Sequence, residues 1–260
     1  MIKTNADGDS LWSRTFGGEL SDRCLSIIRT EDGGYVLAGY TESFGAGSSD
    51  FWMVKTNADG DSLWSRTFGG ERQDFCNSIV QTEDGGFALG GTTLSFSVGY
   101  NDLWIVKTNA NGDSLWSRTY GEIHRSANCN SLIQTEDGCI VASGYYGIDV
   151  LLLKINSEGD SLWSENYGRG REREINSCYT AIQIEDGSFV LGGSHGIDVD
   201  QKDMFLIKTS PDPVNVPDIT KPLIVEDLVL FPTYPNPFNS TTTIRYQLPT
   251  SGQLSLAVYN

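Results

Sequence analysis

Four acid pairs recur along this chain: Glu31-Asp32, Glu83-Asp84, Glu136-Asp137 and Glu185-Asp186. Two carboxyl groups are what a glycosidic bond needs for hydrolysis, but they must sit on different elements and face one bond. Adjacent acids in a Glu-Asp-Gly turn point apart, so these pairs are expected to be solvent-facing turn residues. A second set, Asn5-Ala6-Asp7-Gly8-Asp9 with copies starting at Asn57, Asn109 and Asn156, places oxygen-bearing side chains at alternate positions. Calcium collects about six to eight oxygens, and this spacing is one way to supply some of them. The glycine, however, stands fourth in the run where an EF-hand loop has it sixth, and the third place varies among Asp7, Asp59, Asn111 and Glu158. A tight hairpin turn accounts for the Asp-Gly and Asn-Gly pairs without a metal.

The remaining reactive side chains are sparse. His124 and His195 are the only histidines and fall at different places in the pattern. Neither stands beside a G-x-S-x-G nucleophile turn. Arg169, Arg171 and Arg173 form the one basic cluster, inside the segment Gly168 to Glu174, where Glu172 and Glu174 offset the charge. A solvated loop is the simpler account of it, and anion or partner contact the sharper one. Of the five cysteines, Cys24, Cys76, Cys129 and Cys178 occupy equivalent points, and Cys139 replaces the second glycine of a turn. Equivalent points in stacked sheets lie roughly 10 Å apart, whereas a disulfide needs Cα atoms within about 7 Å. No Cys-x-x-Cys pair or neighbouring histidine supports a metal site, so the four read as small buried apolar residues. No catalytic, cofactor-binding or metal-binding residue is assigned, and no cofactor is expected.

The elements that position these residues repeat with a period of about 50 residues, the spacing of propellers and arrays. Asp9-Ser10-Leu11-Trp12-Ser13-Arg14 returns at Asp61 to Arg66 and at Asp113 to Arg118, and more loosely at Asp160 to Glu165. In the second unit, Asp74 to Thr82 alternates apolar and polar residues as a half-buried strand does. Glu83-Asp84-Gly85-Gly86 supplies the positive φ of a tight turn, and Phe87 to Thr92 forms a second strand. After a variable stretch, Thr93 to Asn101, come a third strand at Asp102 to Thr108 and, past a turn, a fourth at Ser114 to Tyr120. Four short antiparallel strands, repeated, are the plan of a β-propeller blade. Stacked blades bury faces that no blade can bury alone. Trp12, Trp64, Trp116 and Trp163 are expected between blades, each removing about 150–250 Å² from water.

Strand arithmetic sets the architecture: about four blades of four strands within residues 1–209. Residues 1 to 18 supply the tail of a third strand and a whole fourth strand, and residues 174 to 209 supply only three strands. The first reading is a fragment of a larger ring. The alternative is a four-bladed ring, in which the N-terminal fourth strand completes the last blade. An open ring would expose sheet faces and edges, which favour association.

Composition agrees with an exposed, strand-rich protein. Twenty-nine glycines among 260 residues, with 38% hydrophobic content, suit short strands and tight turns. A net charge of −16 disfavours nucleic acid and anionic membrane surfaces, and fits solubility outside the cell. No apolar run reaches the ~18 residues of a membrane span. No signal peptide is visible, and Ile2-Lys3-Thr4-Asn5 matches the middle of later units, so the chain reads as a piece of a longer protein or as a gene model that begins late.

The repeats resemble bacterial secreted β-propeller repeats of the kelch-like and delta types. The resemblance is carried by Gly33-Gly34-Tyr35-Val36-Leu37-Ala38-Gly39, Asp50-Phe51-Trp52-Met53-Val54-Lys55 and Asn57-Ala58-Asp59-Gly60, and it covers residues 1–209. The turn with Trp64 behind it is also similar to the sialidase Asp-box, a structural motif that implies no glycosidase. Residues 210–222 form a proline-rich linker. From 223 to 260 the chain resembles the start of a type IX secretion C-terminal sorting domain. Tyr234-Pro235-Asn236-Pro237-Phe238-Asn239, Thr242-Thr243-Ile244-Arg245-Tyr246 and Val258-Tyr259-Asn260 carry that likeness. The related domain of a flagellar-hook capping protein starts similarly. The resemblance implies a partial immunoglobulin-like β-sandwich, the type IX machinery as partner, and a secreted or outer cell-surface location. The function expected is non-enzymatic binding or display of an extracellular protein or glycan, through the loops Thr41 to Ser49, Thr93 to Asn101 and Gly168 to Glu174. The alternatives are an extracellular hydrolase of polysaccharide or peptide, and a structural spacer.

Overall fold

A computed structural model describes residues 1–168, 175–198, 201–211, 229–230 and 246–247. The chain divides into two compact units, Met1–Asp212 and Pro213–Asn260. In the second unit the described residues are β18 (Val229–Leu230) and β19 (Tyr246–Gln247), paired antiparallel. The proposed linker and sorting segment otherwise lie outside the described residues.

The first unit is all-β among the described residues. A hairpin of β1 (Ile2–Thr4) and β2 (Ser10–Ser13) leads into blade 1, which holds β3 (Asp22–Arg29), β4 (Tyr35–Thr41), β5 (Asp50–Thr56) and β6 (Ser62–Phe68). Blade 2 has β7 (Asp74–Gln81), β8 (Phe87–Thr93), β9 (Asp102–Thr108) and β10 (Ser114–Tyr120). Blade 3 has β11 (Ala127–Gln134), β12 (Ile140–Tyr146), β13 (Asp149–Ile155) and β14 (Ser161–Tyr167). Blade 4 has three described strands, β15 (Ile175–Gln183), β16 (Ser188–Asp198) and β17 (Gln201–Pro211). Every strand pairing among the described residues is an antiparallel meander between neighbours in sequence. Apart from these, an isolated parallel bridge, Ser49 to Gln73, joins blades 1 and 2.

The ring is open. The four-bladed closure considered above does not occur: β2 pairs with β1, and β17 pairs only with β16 among the described residues. Local geometry explains the preference, because β1 lies next to β2 across a five-residue turn and loop closure costs least at short range.

Blades stack through a repeated apolar interface. Val36, Ala38, Phe51 and Met53 of blade 1 pack on Cys76, Ile79, Phe87, Leu89, Trp104 and Val106 of blade 2. Ala88, Leu103 and Ile105 of blade 2 meet Cys129, Leu132 and Ile140 of blade 3 in the same way. Val141, Val150 and Leu152 of blade 3 meet Cys178, Ala181, Phe189 and Leu191 of blade 4. Each fully buried side chain of this size contributes about 1.5–3 kcal/mol. Polar bonds fix the innermost strands: Ile79 N donates to Ser26 Oγ, and Leu132 N to Ser78 Oγ at 3.0 Å.

The period-matched tryptophans do pack between blades, but half-buried rather than fully. Trp12, Trp64 and Trp116 lie over Gly60, Gly112 and Gly159 in the turn of the next blade, because the fourth strand is the outermost one. A Cβ on Gly60 would sit 2.7 Å from the Trp12 ring, and one on Gly112 would sit 2.7 Å from Trp64. Tryptophan rings also meet the next blade's second strand edge-on or tilted: Trp12 to Tyr35 at 6.1 Å, Trp64 to Phe87 at 6.5 Å, and Trp163 to Phe189 at 6.0 Å.

Cys24, Cys76, Cys129 and Cys178 are free thiols, and the last three are buried in the interfaces just described. Burial pushes the Cys76 thiol up to about 12. Cys24 departs from the expected burial and is exposed, because blade 1 has no four-stranded neighbour on that side. In native protein a thiol reagent at pH 8 is therefore expected to label Cys24 first and half-buried Cys139 more slowly. Cys76, Cys129 and Cys178 should wait for unfolding. Prompt labelling of Cys76 would contradict the stacking.

Candidate functional site

The two ends of the blade stack carry different chemistry. At one end lie the Glu-Asp-Gly turns and the Asn-x-Asp-Gly-Asp turns, where the sequence placed its carboxylates. The structure uses their oxygens internally. Asn57 Oδ1 accepts from the backbone N–H groups of Asp59 and Asp61, at 3.0 and 2.8 Å, and Asn57 Nδ2 reaches Asp61 Oδ2 at 3.4 Å. The same closed turn forms at Asn5, Asn109 and Asn156. The next carboxylate links blades: Arg14 pairs with Asp61 at 3.2 Å, and Arg66 with Asp113 at 3.4 Å.

The acid pairs are solvent-facing turn residues, as expected. The aspartate of each pair is in addition the partner of a lysine from the third strand. Lys55 reaches Asp32 at 2.7 Å, Lys107 reaches Asp84 at 2.7 Å, Lys154 reaches Asp137 at 2.6 Å and Lys208 reaches Asp186 at 2.8 Å. Lys107 is 5% exposed, so its ammonium depends on Asp84 and on the carbonyl of Thr108. Bonds from Lys55, from Thr30 and from Gly34 N hold the Asp32 carboxyl down to about 2. At Asp84 and Asp137 burial pushes the other way, but the lysine, a threonine and a backbone N–H outweigh it, again giving about 2. The lysines recur with the repeat, yet sequence reading assigned them no role, because nothing local shows that a third-strand lysine meets the turn between the first two strands.

At the opposite end lie the connections between second and third strands and those between blades. Two of the three expected contact loops, Thr41 to Ser49 and Thr93 to Asn101, are here, while Gly168 to Glu174, with Arg169, Arg171 and Arg173, lies outside the described residues except for Gly168. The two described loops are pinned. Asp74 accepts from Thr93 Oγ1, from Ser95 Oγ at 2.7 Å and from Gly70 N at 2.9 Å. Asp22 accepts from Thr41 Oγ1, from Ser43 Oγ at 2.8 Å and from Gly18 N at 2.8 Å. Thr41 Oγ1 and Thr93 Oγ1 in turn accept from the N–H groups of Phe44 and Phe96. At the far end of each loop, Asp50 accepts from Ala46 N and Gly47 N, and Asp102 from Val98 N at 3.0 Å. The signal for this device was present in the shared Thr-x-Ser-Phe at Thr41 to Phe44 and Thr93 to Phe96, inside loops read as variable.

Pinning sets what the loops display. Phe44 lies on Trp52 with ring centroids 5.7 Å apart, and Phe96 on Trp104 at 5.2 Å. Both phenylalanines remain exposed, together with Leu20, Val98, Tyr100 and Ile123 of the same end. The loop carrying Ile123 and His124 approaches Gly99, and His124 holds a φ of 70°. Blade 3 has no such loop: Ala127 replaces the aspartate, a two-residue turn at Gly147-Ile148 replaces the long loop, and Arg125 stacks over Tyr146 at 5.1 Å. His195, on β16, has Nδ1 2.6 Å from Asn176 Oδ1 and lines a cavity of about 440 Å³ with Asn166, Tyr167 and Phe205.

No family model matches this chain, and no curated protein matches it. Among solved structures, the chain is similar to a Bacteroides caccae protein of unknown function, at 12% identity and a TM-score of 0.49, over 78% of this chain and 66% of that one. It is also similar to a xylan β-1,4-xylosidase from Bacillus halodurans, at 13% identity and a TM-score of 0.36, over 69% of this chain and 41% of that one. The chain thus spans just under two thirds of the first structure and less than half of the second.

Proposed function

We propose that this chain is a non-catalytic binding and display module, and that its contact surface is the loop end of the blade stack. The carrying observation is the pair of pinned loops holding Phe44, Phe96, Val98 and Tyr100 toward solvent. Exposed apolar groups clustered at one end of a soluble protein mark a contact site. Fixing the loops beforehand removes ordering entropy from the cost of binding. Aromatic faces rimmed by hydroxyl and amide groups suit a glycan or a protein surface. On this reading the protein is exported and held outside the cell through its C-terminal segment. The support for that part is the Tyr234 to Asn239 motif and the resemblance it carries.

The direct test applies the full chain to arrays of polysaccharides and of extracellular proteins. Phe96→Ser combined with Tyr100→Ser is expected to weaken the strongest interaction at least 10-fold while lowering the melting temperature by no more than about 5 °C, the cost of the Phe96 contact with Trp104. Undiminished binding by that variant would move the site elsewhere.

A further inference from the structure

The stack ends in two unlike faces, and each is one half of the interface that closes three times inside the chain. On blade 4, Ile182, Val190, Met204 and Leu206 occupy the positions of Ile28, Val36, Phe51 and Met53. Phe51 and Met53 are fully buried against blade 2, whereas Met204 is 95% and Leu206 76% exposed. On blade 1, Cys24, Ile27 and Trp52 occupy the positions of Cys76, Ile79 and Trp104. Ile79 is 2% exposed in its interface, and Ile27 is 50% exposed. Beside it a hollow of about 180 Å³ is lined by Cys24, Leu37, Trp52 and Val54.

The strand edges match in the same sense. Ile2-Lys3-Thr4 and Ile207-Lys208-Thr209 are the same tripeptide. β1 sets Ile2 opposite Ser13, Lys3 opposite Trp12 and Thr4 opposite Ser10. In blade 1 the corresponding third strand sets Val54 opposite Ser65, Lys55 opposite Trp64 and Thr56 opposite Ser62. β1 therefore sits beside β2 in the register that Ile207 to Thr209 of a complete blade would take, while β17 has an unpaired edge among the described residues.

We propose that the face of blade 4 docks a second copy of this chain, head to tail, on the outer face of that copy's blade 1. Met204 and Leu206 fill the hollow at Cys24 and Trp52, as Phe51 and Met53 fill the one at Cys76 and Trp104. β17 displaces the three-residue β1 and takes the second copy's β2 as its fourth strand. Thr180, at the position of Ser26 and Ser78, accepts from the N–H of Ile27. The contact is heterologous, so each copy keeps one open face and further copies add until the assembly closes or extends.

Sedimentation velocity on the full chain over a range of concentrations tests this, with Met204→Lys to block the tail and Ile27→Lys to block the head. Both positions are at least half exposed, and circular dichroism checks the fold of each variant. Wild type is expected to grow beyond monomer mass with concentration, and each variant alone to stay monomeric. An equal mixture of the two variants should stop at twice the monomer mass, since one good head and one good tail remain. Cys24 in the wild type should lose at least 10-fold in thiol labelling rate at high concentration. A wild type that is monomeric throughout, or a mixture that stays monomeric, overturns the proposal in favour of closure within one chain or cover by residues 213–260. Dimerisation of either variant alone overturns it in favour of a face pairing with itself.

Discussion

Gly91→Ala is expected to cost about 3 kcal/mol of folding stability, against about 1 kcal/mol for Gly85→Ala. Gly85 lies in the turn before β8 and Gly91 within β8, and they are needed for different reasons. Gly85 turns the chain at a φ of +78° with nothing near the position of a Cβ, so alanine there meets only backbone strain. Gly91 stands opposite the register shift between Cys76 and Ser78, and a Cβ on it would strike the carbonyl oxygen of Phe75. A backbone atom cannot step aside as a side chain can, so β7 must separate from β8 and the interface with blade 1 loosens. Gly39, Gly144 and Gly193 repeat the contact with Arg23, Asn128 and Ser177. Urea unfolding of both variants measures the difference. Equal costs would mean that the bulge yields freely and the close approach carries no weight.

Asp84→Ala is expected to cost about 2 kcal/mol at pH 7. Breaking a fully buried ion pair from one side costs about 3–5 kcal/mol, and the discount reflects a carboxylate side chain that is 56% exposed. What remains after the substitution is the Lys107 ammonium, inside the blade with the Thr108 carbonyl still bound to it. The same pair predicts acid behaviour. Asp32, Asp84, Asp137 and Asp186 each have a folded pKa of about 2, below the unfolded value. The native state therefore binds fewer protons than the unfolded state in this range. Their contribution is complete above about pH 4 and is lost as pH falls toward 2. Wild type should lose stability across that window, and Asp84→Ala should show a shallower slope there because one of the four groups is gone. A slope unchanged by Asp84→Ala would place the acid sensitivity elsewhere.

The fold was legible because the repeat writes each local rule several times. Alternation placed the strands of blade 2 within a residue of their observed ends, and the Asp-Gly and Gly-Gly turns marked the hairpins. Even Cys139 becomes clear: the first glycine of that turn, Gly138, carries the positive φ, so the second place tolerates a side chain. What the sequence concealed was partnership across the repeat. The Lys107–Asp84 pair spans 23 residues, and Trp64 meets Gly112 some 48 residues on. No periodicity says which residues of one unit touch which of the next. The same blindness hid the lysine partners of the Glu-Asp turns, which are solvent-facing as read. It also hid the pinned loops, whose anchoring Asp22 and Asp74 lie about 20 residues before the threonines they hold. The candidate surface was therefore half visible: its loops were named, but the reason they hold still was not.

The central claim is that function sits at the loop end and that the turn end is structural. The measurement that tests it most directly compares two variants of the full chain on one polysaccharide and protein array, with soluble products assayed in parallel. Phe96→Ser with Tyr100→Ser alters the loop end, and Asp59→Ser alters an exposed turn residue at the other. The account predicts at least 10-fold weaker binding for the loop variant, unchanged binding for the turn variant, and no release of cleaved product. Loss of binding in Asp59→Ser with the loop variant intact, or release of product by the wild type, would contradict it.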